Sequence, residues 1–507
     1  MHIAFLNPQG NFDPRDSYWT EHPDFGGQLV YVKQVALAMA EAGHTVDILT
    51  RRIVDPAWPE FAATEDAYEG IANVRIIRLP AGPDQFLRKE LLWPHLVTDW
   101  VPNIFAFYEA DGKLPDAFTG HYADGGLAGV LIADRTGIPF TFTGHSLGAQ
   151  KMEKLGVSEE NMAKLDAHYH FARRLLAERL SMNHSGVTIT STRQERFEQY
   201  GHTAYRGAID VQDNRRFAVV PPGVNLAVFG NDVANAQEAE TRGHVLAMLA
   251  RDINSDRREL PAVIASSRLD PKKNQLDLVR AFAQTPELQE KANLVLFTGA
   301  HNDPLRDDTG ANPAAKQVLA QIREVVQSHN LWGKIATFAL RGQPALAAAY
   351  RFLAKRGSVF ALTALYEPFG LAPLEAAAAG LPVVVTQNGG PSESLRDAEI
   401  EYGVLVDPTD PADIARGLLR LLCDPATWAG FAQRGRQRVL DRYTWGRTAQ
   451  GYLALIEAIV ADPKARRPEK LLPIHPCFED ASAANDITLG ELREIYFGVK
   501  QGKRDKG

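Results

Sequence analysis

The chain has 507 residues, of which 45% are hydrophobic and 23% are charged, and its formal net charge is −7. This length exceeds what one hydrophobic core organises, so it predicts two large domains. The negative balance excludes a general nucleic-acid partner, because no domain-wide cationic excess is present to displace counterions from a phosphate backbone. A phosphorylated ligand would therefore have to be held by a local cluster of cations.

The chain contains two cysteines, Cys423 and Cys477, whose separation suits neither a disulfide framework nor a structural zinc site. It opens on the apolar segment HIAFLNP, without the charged and apolar regions of a signal peptide. No apolar run is long enough to span a bilayer. These features predict a cytoplasmic protein with no membrane partner, and they leave its oligomeric state open.

Short β-branched runs alternate with longer helical patterns along the chain, which is typical of parallel sheets built from βαβ units. The first half predicts strands over His2–Asn7, Thr45–Thr50, Val74–Leu79, Ala117–His121, Phe140–Thr143, Val187–Thr190 and Phe217–Val220, with helices over Leu29–Ala42 and Asn161–Ser181. The second half predicts strands over Ala262–Ser267, Asn293–Thr298, Ile335–Ala339, Ser358–Leu362, Pro382–Thr386 and Gly403–Val406, with helices over Gln275–Ala283, Pro313–Ser328 and Pro344–Ala354.

The two halves predict an α/β protein with two Rossmann-like, doubly wound parallel-sheet domains that face a central cleft. Residues 1–230 would form the first domain and residues 231–442 the second. The turn-rich segment Val219–Gly230 suits an interdomain hinge. An amphipathic helix over Tyr443–Val460 would cross back, so that residues from about 443 to 507 complete the first domain. The G-x-G-x-x-G fingerprint and the Walker A loop are missing from the sequence, which disfavours an NAD enzyme and a P-loop enzyme.

Two glutamates eight residues apart carry the strongest functional signal, in the segment YEPFGLAPLEAAAAG. Glu367 lies on the loop after a predicted strand and Glu375 within the next helix. Phe369, Gly370 and Leu371 would open that helix with free N–H groups, which suit a diphosphate. The first carboxylate would accept hydrogen bonds from sugar hydroxyls and the second from a ribose. Two isolated glutamates more often face solvent, but Glu-Pro-Phe-Gly at a strand exit favours a site.

Cations follow another buried strand, in the segment ASSRLDPKKNQ. Arg268 comes directly after the strand and Lys273 precedes the next helix. Two cations at this edge of a sheet can neutralise a diphosphate leaving group without a metal ion. A solvated loop is the alternative, and it suits the lysine better than an arginine at the end of an apolar strand.

The first half carries weaker signals at two loops. Gly26 and Gly27 let the backbone approach a ligand closely, and Gln28 offers an amide at the helix start. A tight turn without a ligand explains the glycine pair equally well. His145 follows the strand Phe140–Thr143 and begins the polar loop HSLGAQK, although a lone histidine there is more often a structural hydrogen-bonding group.

Scattered cations of the first half are candidates for a phosphate site: Lys89 in FLRKE, Lys151 after the His145 loop, and Arg173 and Arg174 in FARRLLAERL. Lys151 and Arg174 are the preferred pair. The alternative is an ordinary charged helix face.

These motifs together resemble the retaining glycosyltransferases of the GT-B fold, in the branch of the sucrose synthases and sucrose-phosphate synthases. The E-x7-E element from Glu367 and the Arg268/Lys273 pair are typical of the wider superfamily. FLNPQG from Phe5, GGQ from Gly26 and HSLGAQK from His145 indicate this branch, with most similarity to bacterial sucrose-phosphate synthases.

The resemblance implies transfer of glucose, with retention, from a nucleoside diphosphate to fructose 6-phosphate, with UDP-glucose as the favoured donor. His145 would lie beside the reacting hexose, and with Arg268, Lys273 and Glu367 it forms the expected catalytic set. The expected donor site is Gly27, Arg268, Lys273, Leu340, Glu367, Phe369, Gly370, Leu371 and Glu375. The expected acceptor site is Gly26, Gln28, Lys89, Tyr122, Lys151, Arg173 and Arg174.

No cofactor and no metal ion are expected to be required, since cations and helix N–H groups can stabilise the departing diphosphate. Mg²⁺ could still assist product release. No carboxylate is placed as a nucleophile, so the favoured mechanism is attack on the face that the leaving group departs from, with its β-phosphate accepting the acceptor proton.

Several alternatives stay open at this point. Sucrose synthase acting on free fructose, and mannosylfructose-phosphate synthase acting with GDP-mannose, keep the fold and change the substrates. A nucleotide-sugar epimerase would need no sugar-phosphate pocket, and a non-catalytic sensor would show no turnover. The sequence does not identify the nucleobase of the donor.

Overall fold

The computed structural model describes residues 1–19, 22, 24–298, 301–482 and 485–498. They form two compact units: Met1–Pro221 together with the segment from Thr448 onward, and Pro222–Arg447. The first boundary lies within the segment predicted as a hinge, and hinge motion stays a prediction. Residues 499–507 of the predicted return segment lie outside the described residues. Within the described ranges, no helix combines the length and apolar character needed to cross a membrane.

The strands of the first unit are His2–Leu6 (β1), Thr45–Arg51 (β2), Glu65–Ala67 (β3), Val74–Leu79 (β4), Ala117–His121 (β5), Phe140–Thr143 (β6), Val187–Thr190 (β7) and Phe217–Val219 (β8). Those of the second unit are Ala262–Ser266 (β9), Asn293–Phe297 (β10), Ile335–Phe338 (β11), Val359–Leu362 (β12), Val383–Thr386 (β13), Arg396–Asp397 (β14), Ile400–Glu401 (β15) and Val404–Val406 (β16).

The α-helices are, in chain order, Gly27–Glu41 (α1), Trp93–His95 (α2), Val101–Asp111 (α3), Tyr122–Thr136 (α4), Gly148–Lys154 (α5), Met162–Tyr169 (α6), Phe171–His184 (α7), Arg193–Glu198 (α8), Leu226–Phe229 (α9), Glu238–Asp252 (α10), Gln275–Gln284 (α11), Pro286–Lys291 (α12), Pro313–Ser328 (α13), Gly342–Ala354 (α14), Leu371–Ala378 (α15), Pro391–Ser394 (α16), Pro411–Leu422 (α17), Pro425–Arg442 (α18), Trp445–Ala461 (α19) and Leu489–Phe497 (α20). Short 3₁₀ turns lie at Pro59–Phe61, Lys89–Leu91, Thr203–Tyr205, Ser255–Arg257, Pro271–Lys273 and Pro476–Phe478, and one π-turn at Leu96–Trp100.

The sheet of the first unit has the strand order β3-β4-β2-β1-β5-β6-β7-β8. Its pairs are parallel except that β3 runs antiparallel to β4. The chain moves from β1 to β2 on one side and later returns to β5 on the other, so Phe5 pairs with Ile48 and with Thr119. This reversal of strand order between β1 and β5 leaves a crevice at the carboxyl ends of the two strands.

The main sheet of the second unit has the order β11-β10-β9-β12-β13-β16, and all of its pairs are parallel. Here the strand order reverses between β9 and β12, which pair directly through Phe360 and Ile264. Neighbouring residues of β9 contribute to different core clusters, Val263 to one and Ile264 to the other. Strands covered on both faces explain the continuous apolar runs in the sequence. The predicted α/β class with two parallel sheets is confirmed.

Two local predictions need correction. The single helix predicted over Asn161–Ser181 is wrong, because His170 takes a left-handed conformation with φ of +50° and separates α6 from α7. Histidine is among the residues that tolerate this region, so periodicity alone hid the break. The strands β3, β14 and β15 were not predicted, since they are two or three residues long and largely exposed.

Gly125 brings the first turn of α4 against the strands that form the crevice. A Cβ atom at this position would collide with the carbonyl oxygen of Leu6, the last residue of β1. The next helical glycine, Gly126, is equally confined, with the ring of Phe142 2.7 Å from an added Cβ. Glycine is therefore required here so that α4 can begin directly at the edge of the sheet.

Gly125→Ala should lower the free energy of unfolding by about 1–3 kcal/mol, because the added methyl group forces α4 away from β1. Gly243→Ala is the control: Gly243 is exposed on α10, and no atom lies within 4 Å of an added Cβ. That substitution should raise the free energy of unfolding by up to about 1 kcal/mol through helix propensity. Denaturant titration measures both, and equal shifts in the two variants would contradict the close approach.

Candidate functional site

A cavity of about 260 Å³ lies at the crevice of the first unit. Gln9, which follows β1, lines it together with Tyr122 and Asp124 at the start of α4 and Ser146 after β6. The carboxyl ends of three adjacent strands thus supply its polar wall. The aromatic rings of Trp93 and Tyr169 also line the cavity.

Three of the predicted cations, Lys89, Lys151 and Arg174, line this one cavity, although they come from three separate segments. Lys151 Nζ lies 4.1 Å from the centroid of the Tyr169 ring. Burial lowers the pKa of Lys151, and the charge of Arg174 acts in the same direction. A bound anion would relieve both effects, so the cluster is suited to a phosphate group.

Arg174 is held in place from behind by a buried carboxylate. Its Nε donates to Glu178 Oε1 at 2.9 Å and its Nη2 to the carbonyl oxygen of Ser146 at 2.6 Å. Glu178 is fully buried and also accepts hydrogen bonds from the N–H of Gly148 and the hydroxyl of Tyr205. Burial alone would lower the pKa of Arg174, but the Glu178 carboxylate raises it. The guanidinium is therefore charged and fixed before any ligand binds.

The sequence reasoning missed two acids that line the same cavity. Glu90 Oε1 lies 4.0 Å from Lys151 Nζ. Asp124 is buried, and burial raises its pKa to about 6 in spite of the N–H of Gly125. A signal was present in the sequence, since Asp124 stands two residues after Tyr122 at a predicted strand end. Its burial depends on α4 and could not be read from that spacing.

Arg173, also predicted as an acceptor residue, is not among the residues that line the cavity, and its role stays a prediction. It lies beside Arg174 in sequence, but its guanidinium pairs with Asp486 at 3.0 Å. Adjacent residues on a helix point about 100° apart, so α7 can aim only one of the two arginines at the cavity.

The predicted Gly-Gly-Gln motif forms the start of α1, with Gly26 as its N-cap. Gly26 and Gln28, both predicted as acceptor residues, are not among the residues that line the 260 Å³ cavity. An added Cβ at Gly26 or Gly27 would meet no atom within 4 Å among the described residues. Gln28 is buried, and its Nε2 has no hydrogen-bond partner in the described part of the chain. The protein's own packing therefore explains neither the small residues nor the unsatisfied amide.

His145 follows β6 and adopts φ of +53°, and Tyr122, which follows the adjacent β5, adopts +59°. Non-glycine residues in this region store strain, and such strain is concentrated at functional sites. The two rings lie 5.3 Å apart, and Nε2 of His145 is 2.8 Å from Nδ1 of His121. Burial lowers the pKa of His145 to about 3, so the imidazole is neutral at physiological pH.

The crevice of the second unit brings the predicted donor residues to neighbouring loops. Lys273 lies in the turn after β9 and Glu367 in the loop after β12, and Lys273 Nζ is 2.6 Å from Glu367 Oε2. Arg268 also follows β9, is exposed, and makes no ion pair with the described residues. The segment after β9 therefore supplies one paired and one unpaired cation, and the loop after the adjacent β12 supplies the carboxylate at the same edge of the sheet.

Backbone hydrogen bonds fix the Glu367 loop on both sides. Its N–H donates to the carbonyl oxygen of Asn388 at 3.1 Å, and its carbonyl accepts from Gly390 N–H at 3.0 Å. A Cβ at Gly389 would collide with the Glu367 carbonyl oxygen. On the other side, Leu365 N–H donates to the Lys272 carbonyl at 2.9 Å. The carboxylate thus stands on a rigid loop.

Helix α15 begins as predicted, with Gly370 as N-cap in a left-handed conformation (φ +91°) and Leu371 as its first residue. Phe369 precedes the cap, its ring 6.0 Å from that of Tyr443. Glu375, one turn into the helix, is partly buried, and burial raises its pKa to about 7.

Leu340, predicted to lie near the nucleobase, lines a second cavity of about 360 Å³ beyond β11. His244 and Arg341 also line it, and Nε2 of His244 lies 3.1 Å from the carbonyl oxygen of Ala339. Across the part of the chain that the structure describes, no three His, Cys, Asp or Glu side chains are grouped so that they could hold a metal ion.

Comparison with protein families identifies the class to which each half of the chain belongs. Residues 26–223 match a Glycosyl transferase 4-like domain, and residues 250–438 match Glycosyl transferases group 1. The chain is 39% identical over 459 residues to a probable sucrose-phosphate synthase of Thermosipho melanesiensis, covering 90% of this chain and 96% of that relative. It is 33% identical to the sucrose-phosphate synthase of Zea mays, covering 96% of this chain and 50% of the plant protein. The chain thus spans about half the length of this plant relative.

Solved structures are similar to this chain over most of its length. A sucrose-phosphate synthase from Thermosynechococcus elongatus superposes with a TM-score of 0.62 at 27% identity, covering 91% of this chain and 99% of that one. The catalytic domain of starch synthase IV from Arabidopsis thaliana, bound to ADP and acarbose, has a TM-score of 0.57 at 14% identity and covers 91% and 99%. A protein of Anabaena in complex with UDP-glucose has a TM-score of 0.53 at 16% identity and covers 91% and 100%. The last two share the fold.

Asp124→Asn should stabilise the protein at pH 8. The folded-state pKa of about 6 is higher than the ordinary value of 3.8, so the native state loses stability as pH rises from about 4 through 6. A neutral amide removes that loss. The free energy of unfolding should therefore rise by about 1–3 kcal/mol at pH 8 and change little at pH 4.

The control is Asp116→Asn, because the N–H of His2 lowers the pKa of Asp116. The free energy of unfolding of that variant should fall at pH 8, in contrast to the rise expected for Asp124→Asn. Denaturant titrations of both variants at pH 4 and pH 8 measure the effect, and an Asp124→Asn protein less stable than the parent at pH 8 would refute the assignment.

Proposed function

Because the chain belongs to the retaining, nucleotide-sugar-dependent glycosyltransferases of the GT-B fold, in the family of the sucrose-phosphate synthases, we propose that it transfers glucose from UDP-glucose to fructose 6-phosphate. The products are sucrose 6-phosphate and UDP. The glucosyl bond keeps its anomeric configuration.

The observation that carries this proposal is the convergence of Lys89, Lys151 and Arg174 on one cavity. Three cations in a space of about 260 Å³ favour an acceptor with a phosphate group over free fructose. The hydroxyl groups of the sugar would meet Tyr122 and Asp124, which line the same cavity at the start of α4. The open space at Gly26 and the unsatisfied amide of Gln28 support a place for both residues beside the acceptor.

On the donor side, Arg268 and Lys273 bind the diphosphate, together with the N–H groups at the start of α15. Glu367 accepts a hydrogen bond from a hydroxyl of the donor hexose while its ion pair with Lys273 keeps the carboxylate oriented. Glu375 binds the ribose. Negative charge grows on the leaving oxygens as the glycosyl bond breaks, and fixed cations stabilise that charge most where it is greatest.

The acceptor proton passes to the departing β-phosphate, on the face from which the new bond forms. Mg²⁺ is not required, because the cationic side chains and the helix N–H groups neutralise the diphosphate. Gly27 approaches the donor through its backbone, and Leu340 lies beside the nucleobase. UDP-glucose is favoured over ADP-glucose and GDP-mannose by the family resemblance, and the donor assay below decides among them.

Purified protein should release UDP from UDP-glucose with fructose 6-phosphate and not with fructose, at the same rate in the presence of EDTA. UDP-, ADP- and GDP-glucose and GDP-mannose are compared in one assay of nucleoside diphosphate release. Release of UDP with fructose but not with fructose 6-phosphate would contradict the assignment of the three cations to an acceptor phosphate. If the donor sugar is converted to its epimer in the absence of an acceptor, the proposal that the protein is a transferase is wrong.

Lys151→Met should raise the KM for fructose 6-phosphate at least about tenfold with a smaller change in kcat, because it removes a cation that contacts the acceptor in ground and transition states alike. Lys154→Met is the matched control, since Lys154 is exposed on the same helix, α5, and does not line the cavity. Its kinetic constants should equal those of the parent. Equal KM values for both variants would remove Lys151 from the acceptor site.

Lys273→Met should lower kcat by about 10²–10³, since this charge acts on the leaving group in the transition state. The KM for fructose 6-phosphate should change little. Lys291→Met, a charge removal at an exposed position of α12 in the same unit, should leave kcat unchanged. If the Lys273→Met protein keeps the kcat of the parent, Lys273 does not stabilise the leaving group in the transition state.

A further inference from the structure

A row of buried polar side chains leads to His145 along two adjacent strands, β5 and β6. Thr141 on β6 and Thr119 and His121 on β5 are all fully buried. Thr141 Oγ1 donates to Thr119 Oγ1 at 2.9 Å, Thr119 Oγ1 lies 3.2 Å from His121 Nε2, and His121 Nδ1 lies 2.8 Å from His145 Nε2. The donor and acceptor sense of each link follows from counting the hydrogen atoms.

Each hydroxyl has one hydrogen to donate. Thr141 gives its hydrogen to Thr119, so the hydrogen of Thr119 is directed to His121 Nε2, which must then be the accepting nitrogen. A neutral His121 therefore carries its proton on Nδ1 and donates it to His145 Nε2. His145 Nε2 is the acceptor, and the proton of a neutral His145 lies on Nδ1.

Both rings are neutral. Burial lowers the pKa of His121 well below its ordinary value, and burial lowers the pKa of His145 as well. His121 is stacked on Phe5 at 5.4 Å with an interplanar angle of 13°, and its ring lies 5.1 Å from that of His145. These contacts fix the orientation of His121 and hence the direction in which its Nδ1–H points.

We propose that His121 is a positioning residue which, through Thr119 and Thr141, fixes His145 in the tautomer protonated at Nδ1. Within the described residues, Nδ1 of His145 has no hydrogen-bond partner, and the residue is partly exposed. Its N–H is thus available to a ligand as a hydrogen-bond donor. The identity of that ligand, a hydroxyl or phosphate oxygen of the nucleotide-sugar, rests on the proposed function.

This tautomer has a consequence for the reaction. An imidazole that carries a proton on its ligand-facing nitrogen and accepts a hydrogen bond on the other has no free lone pair to act as a base. His145 therefore cannot remove the proton of the acceptor hydroxyl or of a water molecule. It leaves the departing phosphate as the base, and it disfavours hydrolysis of the donor.

The tautomer is measured in the ligand-free protein, so that the result does not depend on the activity. Protein labelled with ¹⁵N-histidine is compared with a His145→Asn sample, which identifies the His145 resonances among the 14 histidines. Nδ1 of His145 should show a pyrrole-type shift and Nε2 a pyridine-type shift at pH 7. The reverse assignment would overturn the proposal, whatever reaction the enzyme catalyses.

Three variants then test the row behind His145. His121→Leu removes the donor, whereas the side-chain amide of His121→Asn can place an N–H near the former Nδ1. Thr119→Val removes the hydroxyl with little change in shape. We expect kcat to fall about tenfold in the leucine variant, with the KM for fructose 6-phosphate unchanged, and to recover at least partly in the asparagine variant.

In Thr119→Val, both tautomers of His145 should appear in the ¹⁵N spectrum, and thermal melting should show the variant to be folded. A single Nδ1–H tautomer in that variant would overturn the role of the row. If His121→Leu does not fold, the asparagine and valine variants decide the question. Wild-type kcat in Thr119→Val together with an unchanged spectrum would also refute the proposal.

Discussion

The reversal of strand order at the first strand of each sheet determines where the main crevice of each unit lies. At β1/β5 and at β9/β12 the connecting segments leave in opposite directions, which leaves a crevice at the carboxyl ends of the strands. The cavity lined by Lys89, Lys151 and Arg174 lies at the first reversal with Tyr122, and His145 follows the next strand, β6. The Lys273–Glu367 pair lies at the second reversal. Helices that begin there add N–H groups and a favourable dipole for anions.

Charge at these places is arranged before a ligand arrives. Arg174 is fixed by the buried Glu178, which is itself held by a backbone N–H and a tyrosine hydroxyl, so its orientation costs no entropy on binding. Lys273 is fixed by Glu367 on a loop clamped on both sides. The buried Asp124 is the unfavourable part of this arrangement, because its raised pKa records a cost to stability at neutral pH.

In contrast to these charged side chains, the imidazole of His145 is neutral. Burial lowers the pKa of His145 to about 3, so the imidazole adds no charge to the crevice of the first unit. Its contacts with His121 and Tyr122 restrict its orientation as well. The first unit thus holds a neutral imidazole and a cavity lined by cations, and the second unit holds the Lys273–Glu367 pair and the exposed Arg268.

The sequence by itself determined the elements and the class of chemistry. Apolar runs such as Val359–Leu362 and Val383–Thr386 identified strands, because strands buried on both faces require that composition, and the Glu-Pro-Phe-Gly segment predicted the start of α15. Only the tertiary structure decided which of Arg173 and Arg174 faces the cavity, because that choice depends on which side of α7 packs against it, with Glu178 holding Arg174 and Asp486 pairing with Arg173. It also decided the burial of Asp124 and the row from Thr141 to His145, since hydrogen bonds between neighbouring strands join residues whose separation in sequence carries no pattern.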